Sequence, residues 1–180
     1  MNQSFLILLF LLVLGCTQSA TVTKEDEEAM VKATDLGGRI KGFVIDPAKE
    51  SLVKNLEFNN GYQLVYTFQD AGLFIHHAVS VRKSESAALI DQKANGFATE
   101  IAFKKTEPIK RNDLFSWGDE STFSLMKRKR DGALVGNMLI ARKGNLSVFL
   151  MFVGIFFDDP ESIRGLLEPK LKAAERLPEP

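Results

Sequence analysis

The chain is poor in the residues that most often carry chemistry. It has one cysteine, two histidines and one tryptophan among 180 residues. A single thiol excludes an intramolecular disulfide framework, and with two adjacent histidines it falls short of a zinc ligand set. An excess of either charge is also missing. Lys and Arg together number 23, as do Asp and Glu, and none lies in residues 1–16. A formally neutral domain lacks the basic face that generic nucleic-acid binding requires. The sequence contains no Gly-rich phosphate loop, no nucleophile elbow and no internal repeat. What it does have is 45% hydrophobic residues, 14 of them Phe, enough for one real core after the N-terminal segment.

Residues 5–14, "FLILLFLLVL", are uniformly apolar. Ten residues are too few to span a bilayer, which needs about 20, but they fit the apolar region of a secretory signal. The preceding "MNQSF" has no Lys or Arg. The run ends in Val13-Leu14-Gly15-Cys16, which resembles the lipobox of bacterial lipoproteins, with Leu14 bulkier than the usual occupant of its place. That resemblance implies removal of residues 1–15 and a lipidated Cys16 as the mature N-terminus, anchored by two or three acyl chains including palmitate-type chains. It also fits the cysteine count, because no unpaired thiol is then left in an oxidising compartment. Thr17 stands where an Asp commonly retains lipoproteins in the inner membrane, so the resemblance points to the outer membrane, facing the periplasm, in a Gram-negative host. Ordinary signal cleavage near Ser19 or Ala20 is the alternative, and it would release a soluble secreted or periplasmic domain. Residues 16–23 read as a lipidated polar tether and 24–178 as one globular domain.

Thr23 and Asp26 have the spacing of a capping box, and Gly37-Gly38 would stop the helix they open. Its buried side would be Met30, Val31, Ala33 and Leu36. Residues 38–60 carry loop signals at Pro47 and "NNG", with "IKGFVI" as a short candidate strand. "YQLVYTF" and "LFIHHAVSV" alternate and are separated by "QDAG", the pattern of a hairpin. A helix follows over "SESAALIDQKANGFATEIAFKK", with Ser84 as cap and Ala87, Ile90, Ala94, Phe97 or Ala98, and Ile101 as its apolar stripe. "TEPIKRND" reads as a loop. Three strands follow, turning at Asp131-Gly132 and at "KGN". The third, "LSVFLMFVGIFF", is apolar on both faces, so it should be central and covered on both sides. Asp159, Pro160 and Glu161 open the last helix, and Pro169 should kink or restart it.

The expected order is α-β-β-α-β-β-β-α, an α+β fold whose mostly antiparallel sheet carries helices on both faces. Over residues 62–177 this pattern resembles PsbP-like domains, which include many small bacterial lipoproteins. The resemblance is carried by "FSWGDESTFSLMKRKRDGALVGNMLIARKGNLSVFLMFVGIFFDDPESIRGLLEPKL": a Gly-Asp-Glu turn into a strand, an Arg-Lys-Gly-Asn hairpin, and an Asp-Pro-Glu helix start. It implies an α/β/α sandwich with a binding or assembly role and no shared catalytic residues.

Candidate chemistry is thin. His76 and His77 face opposite ways on a strand, and His77 sits on the apolar side, the place of a satisfied core histidine. Asp158-Asp159 before Pro160 reads as a helix cap. Asp119-Glu120 after Gly118 suits a turn into a strand, and with Trp117 it forms the candidate binding surface. "KRKR" at 127–130 reads as a solvated strand end, with anionic headgroups as its alternative partner. The reading is an envelope lipoprotein that binds a protein, lipid or cell-wall component, without cofactor, metal or catalytic residues. A weaker alternative is an enzyme using the acids at 119–120 or 158–159 with His77.

Overall fold

The computed structural model describes residues 17–37, 44–57, 59–70, 72–102 and 104–180. Cys16, Gly15, Leu14 and the apolar run before them lie outside the described residues, as do residues 40–43 of "IKGFVI". The described elements are β1 (Thr17–Ala20), α1 (Lys24–Glu28), α2 (Ala33–Gly37), a 3-10 turn (Pro47–Lys49), β2 (Glu50–Glu57), β3 (Gly61–Asp70), β4 (Leu73–Arg82), α3 (Glu85–Ala102), β5 (Thr106–Lys110), β6 (Glu120–Arg128), β7 (Leu134–Lys143), β8 (Leu146–Val153) and α4 (Pro160–Ala174). The strands form one antiparallel sheet in the order β1-β2-β3-β4-β8-β7-β6-β5. The fold is therefore α+β, as expected, with three strands more than the sequence suggested.

The missed strands are those with weak alternation. Residues 17–20, expected as tether, form β1 and pair with β2. β2, from the unreadable stretch, has half-exposed residues on both faces. β5 falls in "TEPIKRND", expected as loop, and contains Pro108. A proline cannot donate to a ladder, but an edge strand has one side free of that demand, and β5 is the sheet edge beyond β6.

Strands of clear pattern fall as expected. In β3 and β4, Leu64, Tyr66, Phe68, Ile75 and Val79 enter one core. β8 lies between β4 and β7, and all its residues but Val153 are buried. Val148, Leu150 and Phe152 face the first core, where α4 supplies Ile163, Leu166, Leu167 and Leu171. Phe149 and Met151 face a second, smaller cluster with Met126, Met138 and Ile140, on the side where α3 packs over β4, β8 and β7. Two-sided burial of β8 thus comes from helices on opposite faces.

The N-terminal segment is two short helices rather than one. Its capping box is present, with the Asp26 amide donating to Thr23 Oγ1 and the Thr23 amide to Asp26 Oδ2. Met30, Val31, Ala33 and Leu36 are fully buried. Polar contacts fix the segment on the sheet: the Val31 amide donates to His77 Nδ1 at 2.8 Å, the Ala33 amide to Tyr66 Oη at 2.8 Å, and Lys54 Nζ reaches Asp26 at 3.0 Å. α4 runs through Pro169 unbroken, with Asp159 accepting the Ser162 amide at 2.7 Å as its N-cap.

α3 differs from expectation in its rotation. Of its predicted apolar stripe, Ile90 is 68% and Phe97 66% exposed, Ala94 is exposed, Ala87 and Ala98 are half-buried, and the Ile101 side chain lies outside the described residues. Among the described side chains of the helix, Ala88 and Thr99 are the buried ones. The cause is electrostatic. Arg82 is buried at the end of β4, ion-paired with Asp91 of α3 and at 2.6 Å from Glu57 of β2. An unpaired buried guanidinium would be costly, so Asp91 must face the sheet. Its two neighbours are offset by about 100° in opposite directions, Gln92 toward the cleft and Ile90 toward the outside.

Candidate functional site

A sheet of eight strands has seven spacings of about 4.8 Å and is about 34 Å wide. One helix, about 10 Å across, leaves part of that width open. α3 covers β4, β8 and β7, so the β5–β6 side of the same face opens into a cleft of about 670 Å³ between the helix and β5–β7. This lies in the range of small-molecule sites.

The cleft is built from three kinds of residue. Met126, Met138 and Ile140 make an apolar floor. Methionine is unbranched and polarizable, and adapts to irregular ligand shapes. Gln92, Gly96 and Thr99 form the helix side, which is polar or small because the apolar stripe of α3 points away. Lys93, Lys104, Lys110 and Lys129 stand around the opening, all four exposed. The two acids of the rim are engaged elsewhere: Glu107 pairs with Lys127 at 3.2 Å, and Glu120 with Arg142 at 3.6 Å. None of the four lysines has an ion-pair partner among the described residues, so the rim is electropositive in a chain that is neutral overall. Gln92 adds a buried Oε1 without a hydrogen-bond partner among the described residues.

Of the three residues expected to form one surface, Asp119 and Glu120 share the Arg142 guanidinium and Trp117 stands apart. Trp117 packs against the core on the α4 face, and its Nε1 donates to Glu175 at 3.1 Å. Lys143 also binds Glu175, at 2.8 Å. These bonds, with that from Lys143 the larger, hold the Glu175 carboxyl below the usual carboxylate range. Asp119 belongs to a turn: its Oδ2 accepts the Gly144 amide at 2.7 Å and lies 3.2 Å from Arg142. Gly118 enables that turn with φ +77°, and a Cβ there would stand 2.2 Å from the Arg142 carbonyl oxygen. Only Glu120 lines the cleft.

The other candidates fall where the sequence put them. His76 and His77 point to opposite faces. His76 lies against Phe149, ring centroids 5.6 Å apart, and burial pushes its pKa down to about 4. His77 is buried in the main core, where desolvation, with lesser repulsion from His76 and Lys170, lowers its pKa to about 3. Of the basic run, Lys127, Arg128 and Arg130 pair with Glu107 or Asp131, while Lys129 reaches the cleft rim. Among the described residues no three His, Cys, Asp or Glu side chains are grouped to hold a metal ion, and no helix is long and apolar enough to cross a membrane.

Sequence reasoning missed the cleft itself. Met126 and Met138 read as ordinary strand residues, Lys104 as the end of a helix, and Lys110 lay in a supposed loop. A cue was present in α3, whose inward residues Gln92, Asn95 and Thr99 recur at helical spacing. Comparison with known proteins gives no further guide: no family model, no curated protein and no solved structure matches this chain.

Proposed function

We propose that the chain is an exported envelope lipoprotein, held on a membrane by lipid on Cys16, whose PsbP-like domain binds a ligand in the cleft beside α3. The anchoring reading starts from Val13-Leu14-Gly15-Cys16 and is supported by β1. Cleavage before Cys16 keeps Thr17–Ala20, which pairs residue by residue with Glu57 to Lys54. Cleavage after Ala20 would remove that whole strand and leave two residues before the Thr23 cap. The outer strand then lies directly behind the lipid, so the domain is held close to the membrane surface without a flexible spacer.

The observation that carries the binding reading is the cleft: an apolar floor, a few polar groups and an electropositive rim on one open side of a two-faced sheet. Three of the groups that could serve an enzyme already have structural duties. Asp159 caps α4, Asp119 closes a turn, and His77 accepts the Val31 amide. The antiparallel sheet with α3 on one face and α4 on the other supports the sandwich that the PsbP-like resemblance implies.

Fractionation of cells expressing the wild type and Cys16→Ala tests the anchor. The wild type should sediment with membranes and incorporate labelled palmitate, and the variant should do neither. Equal partitioning of both, with no label in either, would overturn it.

A further inference from the structure

We propose that the cleft binds a single-chain anionic amphiphile, with its acyl chain along Met126, Met138 and Ile140 and its phosphate or carboxylate head between Lys104 and Lys129. This rests on the reading of the cleft as the ligand site and adds the class of ligand. The floor runs along β6 and β7, where Met138 lies opposite Ser124 and Ile140 opposite Thr122. From Met126 to Thr122 is four residues, about 13 Å at about 3.3 Å each, a length suited to a medium acyl chain. Sulfur and branched carbon line it, which favours a flexible apolar chain over a planar polar one.

The head is placed by charge. Lys104 follows the end of α3 and Lys129 follows the end of β6, and the Lys129 amide donates to the Lys105 carbonyl at 3.0 Å. That contact ties the two segments together at one mouth of the cleft. The acid nearest in sequence on the neighbouring strand, Glu107, is neutralised by Lys127, so two cations are left for a ligand. Lys110 pairs in register with Ser124, beside the middle of the floor, and Glu120 and Gln92, linked by a Gln92 Nε2 to Glu120 carbonyl contact of 3.5 Å, stand at the far end. Lys110 offers an anion a single cation beside the chain, where the Lys104–Lys129 mouth offers two.

The test uses the mature chain labelled with ¹³C at its methionine methyls, the Met126 and Met138 signals being assigned by substitution. Octyl phosphate and decyl phosphate are titrated below their micelle concentrations. Inorganic phosphate and a neutral decyl maltoside serve as controls. Both methyl signals should shift with the alkyl phosphates, and decyl should bind more tightly than octyl by about fourfold per added methylene. Inorganic phosphate should shift neither signal, and the maltoside should bind at least tenfold more weakly than decyl phosphate. Lys104→Glu/Lys129→Glu should weaken decyl phosphate at least tenfold, and Lys110→Glu less than threefold; these side chains are exposed, so folding should persist, as circular dichroism would check. Equal binding of maltoside and phosphate, or an equal loss in Lys110→Glu, overturns the anionic head at Lys104 and Lys129 and leaves the cleft as a ligand site. Shifts with inorganic phosphate alone overturn the amphiphile in favour of a free anion. No shift with any of the four compounds overturns both the ligand class and the cleft as a binding site.

Discussion

Asp91 of α3 ion-pairs with Arg82, a guanidinium buried at the end of β4 and shared with Glu57. Burial works against the Arg82 charge, but hydrogen bonds to Asp91 and Glu57 outweigh it and hold the group ionised above its ordinary pKa. This triad joins β2, β4 and α3, three elements that are far apart in sequence. It also decides which side of α3 meets the sheet. The outward stripe of Ile90 and Phe97 and the polar inner side over the cleft both follow from it.

The rotation of α3 is directly testable. Phe97→Ser and Ile90→Ser should change stability by less than about 0.5 kcal/mol, as exposed substitutions do. Ala88→Leu should cost about 1–3 kcal/mol, because Ala88 is fully buried against the sheet and added volume there overpacks. Urea unfolding of the three variants checks this. The reverse ranking would mean that the stripe of apolar residues faces inward.

Removal of the Asp91 charge probes the ion pair. Asp91→Asn leaves Arg82 with Glu57 only, and loss of one partner of a buried pair costs about 3–5 kcal/mol. With Glu57 retained, the loss should fall at the lower end of that range. Thermal unfolding in low and high salt should show the effect little screened, since Arg82 is nearly inaccessible.

Acid should destabilise the fold through its two histidines. Both are neutral in the folded chain down to about pH 4 for His76 and about pH 3 for His77, while in the unfolded chain they take up protons near pH 6.5. The unfolded state therefore binds more protons between those limits. Stability is retained above pH 6.5 and lost as pH falls toward 4, by about 1.4 kcal/mol per pH unit for each histidine. Urea midpoints between pH 7.5 and 4.5 should fall accordingly, and His76→Asn should remove about half of the histidine slope.

What could be read from the sequence was local. The Tyr62–Phe68 and Leu73–Val81 alternation, the turns at Asp131-Gly132 and Gly144-Asn145, and the Thr23 and Asp159 caps each reside within a few residues, and all appear in the fold. β1, β2 and β5 lie toward the two edges of the sheet, where little is buried and alternation has little to report. The phase of α3 depends on Arg82, outside the helix, so its own apolar periodicity pointed to the wrong side. The cleft could not be read because it arises from the sheet being wider than one helix can cover, and strand number was underestimated. Trp117, Asp119 and Glu120 are neighbours in sequence, but Trp117 turns to the core while Asp119 and Glu120 share Arg142, the first closing a turn and the second lining the cleft.

The most direct measurement of the central claim is the intact mass of the mature protein isolated from cells, with sequencing of its N-terminal peptide. The account predicts a chain that begins at Cys16 and carries diacylglycerol with or without a further acyl group, so that Thr17–Ala20 stays in the sheet. A chain that begins at Thr21 and carries no lipid would contradict it.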